Sequence, residues 1–191
     1  MILWSIQPLH ILKLIQETGT YICDPKQIPV PDFSEAYDWL AKKMLERIGP
    51  PPPGVRFPVW AWYMKDSKRK KPDLRRERWE CWTEGEHVCM ELDIPDEQVL
   101  LSDFDTWHLV LNNSLISDSE EEDLKQDAYY DSLPDSLKQE YKNKNWERIF
   151  DITPLHNEWT TRGEWIQATF WELKKDYIRH KYHFKEAIHI S

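Results

Sequence analysis

The sequence predicts a single α+β domain with a mixed or antiparallel sheet. Strand-like alternation occurs near both ends of the chain, at residues 2–7 and 178–184, and most helical patterns lie between them. This order lacks the regular strand–helix alternation of a doubly wound sheet. The chain has 191 residues, of which 40% are hydrophobic, and this suffices for one substantial core. Because no linker is long enough to separate two units, we expect residues 1–191 to form one domain.

The first elements have clear end signals. Residues 2–7 alternate as an opening strand, and the helix that starts at Pro8 stops at Gly19. A short strand at 20–23 precedes a loop that contains three prolines. Residues 32–35 then resemble a capping box, which predicts the start of a second helix. The apolar residues of its buried face are Tyr37, Leu40, Met44 and Ile48, before Gly49 and four prolines end it.

An aromatic strand and a charged segment follow. Residues 57–63 alternate, so that Trp60 and Trp62 share one face while Tyr63 lies on the other. Residues 64–80 are interpreted as a loop or a short ribbon. The later elements are expected to be strands at 87–94 and 98–101, a short helix capped by Asp103, an acidic loop or solvated helix start at 117–131, a helix at 136–150, and strands at 166–173 and 178–184, with the last pairing near the one before it.

Charge and cysteine content narrow the class of protein. The formal net charge is −9, from 34 acidic and 25 basic residues, and this balance argues against generic nucleic-acid binding. The basic run from Lys65 to Arg78 still leaves room for an anion site. Three cysteines without paired-ligand spacing fit free thiols in a reducing cytosol. The chain has no positively charged leader and no membrane-spanning stretch, so we expect a cytoplasmic protein without membrane contact.

The common catalytic and metal-binding motifs are absent from the sequence. Five glycines form no phosphate-binding loop, and no nucleophile elbow is present. His180 and His183 fall on a predicted strand, where a spacing of three places them on opposite faces. We therefore expect no metal site and no required cofactor.

An aromatic segment followed by a basic one suggests a binding site. Trp60, Trp62 and Tyr63 offer flat rings that stack on a planar group such as a nucleobase, and Arg75 with Arg76 can bind its phosphates in a bidentate manner. The alternative is that one tryptophan face belongs to the core and that the arginines pair with carboxylates. Eleven tryptophans in one chain are compatible with a Trp-rich core or with a ligand cleft.

Two further segments contain candidate catalytic groups. His108 lies beside carboxylates near a helix start, together with Trp107, and is a candidate acid, base or hydrogen-bond donor. Alternatively, Asp103 caps the helix and His108 lies at its edge. On the late strand, Gln167 shares a face with Thr169, and either Gln167 or Glu172 can orient a sugar hydroxyl. Both residues can equally be ordinary polar positions of a strand.

Several of these segments together resemble a bacterial family known as domain-of-unknown-function family 3841. The resemblance implies a one-domain bacterial or phage-associated cytosolic protein, and it implies no established activity. The segments that carry it are Leu3-Trp4-Ser5-Ile6-Gln7, Pro58-Val59-Trp60-Ala61-Trp62-Tyr63, Lys71-Pro72-Asp73-Leu74-Arg75, Leu101-Ser102-Asp103-Phe104-Asp105-Thr106-Trp107-His108 and Gln167-Ala168-Thr169-Phe170-Trp171-Glu172-Leu173.

The order of the elements more weakly resembles the ADP-ribosyltransferase fold. Enzymes of this fold open with a strand that carries His or Arg, hold nicotinamide between aromatic rings, and often present a catalytic Glu from a late strand. The resemblance places Ser5 or Gln7 at the opening position, Tyr63 at the aromatic position, and Gln167 or Glu172 at the late-strand position. The opening strand here carries no His or Arg, which puts transferase chemistry in question and leaves nucleotide binding as the expectation.

The sequence therefore supports two hypotheses from different classes. The first is a nucleotide-binding domain for a ligand of the NAD or ADP-ribose type, with ADP-ribosyltransferase-like activity left open. Its catalytic candidates are Glu172, Gln167 and His108, and its ligand-binding candidates are Gln7, Trp60, Trp62, Tyr63, Arg75 and Trp107, with NAD as a substrate. The second is a non-enzymatic inhibitor or regulator that presents an acidic surface to a basic protein partner.

Overall fold

The computed structural model describes residues 1–23, 33–80 and 85–185. The helices of this part are α1 (Leu9–Thr18), α2 (Ser34–Ile48), α3 (Leu74–Glu80), α4 (Phe104–Leu111), α5 (Glu120–Ser132) and α6 (Asp135–Trp146). Its strands are β1 (Ile2–Pro8), β2 (Thr20–Tyr21), β3 (Val59–Met64), β4 (Glu86–Asp93), β5 (Leu100–Asp103), β6 (Leu155–His156), β7 (Thr161–Arg162), β8 (Ile166–Phe170), β9 (Leu173–Lys174) and β10 (Ile178–Lys185). Short 3-10 helices occupy Asp96–Gln98, Glu147–Phe150 and Lys175–Tyr177.

A six-stranded antiparallel sheet is the centre of the fold. Its strand order is β10-β4-β1-β3-β8-β5, and β2–β9 and β6–β7 form two small ladders beside it. The predicted α+β class is confirmed. The expectation that residues 178–184 pair near residues 166–173 is wrong, because β8 already has β3 and β5 as its two neighbours. Strand β10 instead pairs with β4 and forms one edge of the sheet.

Each face of the sheet has its own hydrophobic core. Helix α1 covers one face, where Leu3, Ile15 and Met90 are fully buried. Helices α2, α4 and α6 supply the core of the other face, which includes Leu40 and Trp146. Strand alternation assigns residues to these cores, because neighbouring side chains of a strand point to opposite faces. Trp60 and Trp62 share one face of β3, as the alternation predicts, and this face lies on the α2–α4 side.

Helix α3 corrects the interpretation of residues 64–80 as a loop or ribbon. The Asp73 carbonyl accepts hydrogen bonds from the amides of Arg76 and Glu77, at 2.8 and 3.1 Å. The Asp73 carboxylate accepts a third bond from the Arg75 amide at 3.1 Å. These bonds satisfy amides that a helix start leaves without an internal partner. The dense charge of the segment hid this short helix.

Other boundaries also differ from those that the sequence predicts. The strand at 20–23 shortens to β2, the strand at 98–101 moves to β5, and residues 166–173 divide into β8 and β9. The acidic stretch at 117–131 contains α5, which Ser119 caps by accepting from the Glu122 amide. Among the described residues, no helix has both the length and the apolar character needed to cross a membrane.

The start of α2 also departs from the predicted capping box. Asp32 lies outside the described residues, and the residue that precedes the helix is Phe33, whose side chain makes no capping bond. The Phe33 ring instead lines a cavity above the sheet.

Candidate functional site

A cavity of about 590 Å³ lies between the sheet and helices α2 and α4. This volume is within the range of small-molecule sites. Most of its wall is aromatic, and no aspartate, glutamate, lysine or arginine is among the described residues that line it. The lining residues are Trp4, Ile6, Gln7, Phe33, Tyr37, Trp60, Ala61, Trp62, Phe104, Trp107, His108, Leu111, Asn112 and Gln167.

The floor of the cavity lies where two strands of the sheet diverge. Strands β1 and β3 are in register at one position, with Trp4 opposite Trp62. Beyond it, the Ser5 hydroxyl donates to the Trp60 carbonyl at 2.9 Å, and the Gln7 amide donates to the Ser5 hydroxyl at 3.0 Å. These side-chain bonds replace the backbone ladder at this point. The divergence leaves residues of both strands available to line a hollow.

Two groups of rings form the aromatic walls. Tyr37, Trp60 and Trp107 make one group, with ring centroids 5.4 to 6.2 Å apart. Trp62 and Phe104 make the other, with centroids 5.0 Å apart. Such distances are typical of edge and tilted aromatic pairs, which hold each ring in a fixed orientation. The walls are therefore preformed surfaces for a flat group.

The buried carboxylate of Asp103 positions the helical side of the cavity. One of its oxygens accepts the Thr106 amide at 2.9 Å and caps α4, as the sequence predicts. Its other oxygen accepts the Gly163 amide at 2.8 Å. Asp103 thus ties the start of α4 to the turn between β7 and β8. This tie fixes the orientation of Phe104 and Trp107 over the sheet.

One ring nitrogen of His108 is available as a hydrogen-bond acceptor for a ligand. Its Nδ1 lies 2.9 Å from the Phe104 carbonyl, which can only accept, so Nδ1 carries a proton. In the neutral ring, Nε2 is then an acceptor. The ring also packs edge-on against Phe104, with centroids 4.5 Å apart. His108 is exposed at the cavity, where it offers a hydrogen-bond acceptor to a ligand.

Two lining residues hold buried N–H donors without a partner in the described structure. They are Trp4 Nε1 and Gln167 Nε2, and each residue is 94% buried. Leaving such a donor unbonded costs about 1–3 kcal/mol. Ser102, which is opposite Gln167 in the β5–β8 ladder, has an unpartnered hydroxyl as well. The cavity floor is therefore suited to a ligand that carries hydrogen-bond acceptors.

The structure brings six of the nine predicted site residues to this cavity. They are Gln7, Trp60, Trp62, Trp107, His108 and Gln167. They come from three strands and one helix, so their convergence depends on the sheet order. Trp107 is also 97% buried and contributes to the core beneath the cavity. A binding role and a packing role therefore coincide in this residue.

The remaining three predicted residues do not line the cavity. Tyr63 is on the other face of β3, where its ring meets the Arg69 guanidinium at 4.0 Å. Arg75 is 89% exposed and binds Asp73 at 2.7 Å. That guanidinium lowers the pKa of the Asp73 carboxyl to about 2.

Glu172 lines a separate, smaller cavity of about 210 Å³. There its carboxylate pairs with Lys174 at 2.8 Å and accepts from the Thr20 hydroxyl at 3.3 Å. Glu172 follows the end of β8, where the chain leaves the sheet. Gln167, near the start of the same strand, is the late-strand residue that reaches the aromatic cavity.

Several residues that line the cavity are not among the site residues that the sequence predicts. Trp4 and Ile6 belong to the same face of β1, and that alternation, with Gln7 beside them, was a usable signal. Phe33 and Tyr37 come from the start of α2, and no local pattern relates them to β1.

Among residues 1–23, 33–80 and 85–185, no group of His, Cys, Asp or Glu is placed to hold a metal ion.

A protein-family model described as a domain of unknown function (DUF3841) matches residues 2–179, and the chain belongs to this family. No curated protein and no solved structure matches the chain.

Proposed function

We propose that this member of the family binds the planar ring of a nucleotide of the NAD or ADP-ribose type in its aromatic cavity. The observation that carries the proposal is the preformed aromatic wall of a 590 Å³ cavity with unpartnered donors at its floor. Trp62 and Trp60 supply faces and edges for stacking, which contributes about 1–3 kcal/mol per base in other proteins. Gln167 and Trp4 donate to acceptors on the ring, and His108 accepts from its opposite side.

The charge of the cavity limits which part of the ligand it holds. None of the described lining residues is a cation, so the cavity favours an uncharged ring over a diphosphate. We expect the phosphates to stay in solvent and to contribute little affinity. Transferase activity is a weaker proposal, because a developing positive charge at the sugar calls for a carboxylate, and Glu172 is held elsewhere by Lys174.

Calorimetric titration with NAD, ADP-ribose and adenosine tests the proposal. We expect binding of all three with similar affinity, and a loss of about tenfold or more in Trp62→Leu, because a stacking surface is removed. Gln167→Leu should weaken binding by removing a donor while preserving volume. Trp159→Leu is the matched control, because Trp159 is 46% exposed and lies outside the cavity. Absence of heat with every ligand at millimolar concentration contradicts the proposal.

A second candidate function, an acidic docking surface for a basic protein, is favoured by helix α5. Four acidic residues fill its first turn, and none of its thirteen residues is buried. Leu124 on this helix is 65% exposed, which adds an apolar contact point. Salt-sensitive binding of a basic partner that Leu124→Lys abolishes, and that Trp62→Leu leaves intact, is the outcome that favours this candidate.

A further inference from the structure

Three buried polar groups without a partner lie in a single row across the sheet. Trp4 is opposite Trp62 in the β1–β3 pair, and Trp62 is opposite Gln167 in the β3–β8 pair. Gln167 is in turn opposite Ser102 in the β5–β8 pair. Residues that are directly opposite each other in antiparallel strands point to the same face, so this row belongs to the cavity side of the sheet. Trp4 Nε1, Gln167 Nε2 and the Ser102 hydroxyl have no hydrogen-bond partner among the described residues.

The neighbours of Gln167 leave its side-chain amide available to the cavity. The Ser102 hydroxyl is on the adjacent strand, yet both groups lack a partner, so they do not bond each other. Trp62, on the other side, carries only an indole N–H, which cannot accept. In the part of the chain that the structure describes, no group bonds the Gln167 amide. Its N–H and its carbonyl oxygen, which lie side by side in one plane, are therefore both available to a ligand.

A side-chain amide recognises an edge that carries a hydrogen-bond donor next to an acceptor. The N–H of the amide donates to that acceptor, and its carbonyl oxygen accepts from that donor. Adenine presents such a pair at its amino group and the adjacent ring nitrogen, and Gln side chains bind this edge in DNA. The carboxamide of nicotinamide presents the same pair. Gln167 alone therefore does not decide which end of an NAD-type ligand enters the cavity.

Trp4 decides between these two rings. Its indole N–H needs a second acceptor, and it lies on the other side of Trp62 from Gln167, with about 10 Å between the backbones of β1 and β8. In NAD, the ring nitrogen of nicotinamide is quaternary and accepts nothing, so the carboxamide oxygen is the sole acceptor of that group. Adenine carries acceptor nitrogens on several edges. An adenine ring can therefore bond both donors at once.

We propose that the cavity selects the adenine ring of an NAD-type or ADP-ribose-type ligand, and that Gln167 reads its amino edge. This inference rests on the proposed function, because it assigns the ring that the same cavity holds. The adenine ring stacks on Trp62, between the two donors. Gln167 pairs with its amino group and the adjacent nitrogen, and Trp4 donates to a nitrogen on another edge.

Calorimetric titration of the intact protein with adenosine, purine riboside and nicotinamide riboside tests the inference. Purine riboside keeps the ring nitrogens of adenosine and lacks its amino group. We expect it to bind about tenfold or more weakly than adenosine, because the Gln167 oxygen is then left unpaired in a buried site. Nicotinamide riboside should also bind about tenfold or more weakly than adenosine, because it leaves the Trp4 donor unpaired.

The variant Gln167→Leu separates recognition of the amino edge from packing. It preserves the volume of the side chain and removes both of its hydrogen-bonding groups. We therefore expect the preference for adenosine over purine riboside to disappear in this variant. Gln139→Leu is the matched control, because Gln139 is exposed on α6, where its amide bonds Asn143. This control should keep the full preference for adenosine.

Three outcomes overturn the inference and leave the proposed function standing. Equal binding of adenosine and purine riboside would show that the amino edge is not read. Nicotinamide riboside that binds as tightly as adenosine, or more tightly, would assign the cavity to the other ring. A preference for adenosine that persists in Gln167→Leu would mean that another residue reads this edge. Binding of none of these nucleosides by the parent, nor of NAD or ADP-ribose, overturns the inference and the proposed function together.

Discussion

At the scale of single residues, Gly163 joins the capping of α4 to the β7–β8 turn. Its amide donates to Asp103, and its φ of 84° is in the left-handed region that favours glycine. A Cβ at this position would lie 2.8 Å from the Pro154 Cα, which is backbone and cannot move aside. Both the backbone conformation and the available space therefore require glycine at position 163. The position of α4 beside the cavity depends on this glycine, because its amide binds Asp103.

We expect Gly163→Ala to lower the free energy of unfolding, with about 1–2 kcal/mol from backbone conformation alone and more from the Pro154 contact. The control is Gly54→Ala, because Gly54 has a φ of 83° with no atom within 4 Å of its Cβ position. The difference between the two variants, measured by urea unfolding, isolates the cost of the contact. Equal losses in both variants would show that the turn relaxes without cost.

At the scale of elements, a group of ion pairs holds α5 to the rest of the fold. Arg148, just after α6, binds Glu122 of α5 through both of its terminal nitrogens, at 2.6 and 3.1 Å. Arg148 also pairs with Asp118, which in turn pairs with Arg162. Since α5 buries none of its residues, these polar contacts replace the apolar packing that usually attaches a helix.

The Glu122 pair predicts a pH dependence of stability. The hydrogen bonds from Arg148 lower the pKa of Glu122 to about 2, from an ordinary value of 4.5. A carboxyl with a lowered folded-state pKa stabilises the protein above its unfolded pKa, and this contribution disappears as pH falls towards the folded value. We therefore expect Glu122→Gln to be less stable than the parent at pH 7, by about 1 kcal/mol after allowance for solvent screening.

The stability difference between the parent and Glu122→Gln should shrink as pH falls from about 4.5 towards 2, and thermal unfolding across this range measures it. Glu120→Gln is the control on the same helix, because the Glu120 side chain is exposed. A difference that stays constant with pH would mean that the lost stability is not electrostatic.

At the scale of the whole molecule, the periodicity of a strand predicts which of its side chains share a face of the sheet. The order of the strands along the chain does not predict which strands pair with each other. The alternation correctly places Trp60 and Trp62 on one face and Tyr63 on the other, since neighbouring side chains of a strand point to opposite faces. That Gln167 joins them follows from β8 pairing with β3, and this pairing spans about a hundred residues of chain. Long-range pairing of this kind depends on the total packing of the sheet and leaves no local pattern.

Charge patterns misled the sequence interpretation at two places. In residues 64–80, the abundance of Lys and Arg indicated solvent exposure and concealed that Asp73 starts a helix. The match between guanidinium and phosphate geometries favours a phosphate partner for Arg75, yet its guanidinium binds the carboxylate of Asp73, two residues away. Local ion pairs of this kind compete with any functional assignment that is based on residue type.

Cys89 provides a test of whether the molecule unfolds as one unit. It is fully buried in β4, between β1 and β10, and burial raises the pKa of its thiol to about 12. Because the thiolate is the reactive form, iodoacetamide at pH 8 should modify Cys89 only when the surrounding sheet opens. Peptide-resolved mass spectrometry separates this modification from that of the other cysteines.

If opening at Cys89 requires global unfolding, Gly163→Ala should accelerate its labelling in proportion to the lost stability, about tenfold for each 1.4 kcal/mol. Gly163 is near β8, on the far side of β1 and β3 from β4, so no local contact connects it to Cys89. If the edge strand β10 instead opens alone, labelling is independent of Gly163 and responds to changes in β10, such as Tyr182→Ala. Equal labelling rates in Gly163→Ala and the parent would therefore contradict a single cooperative unit.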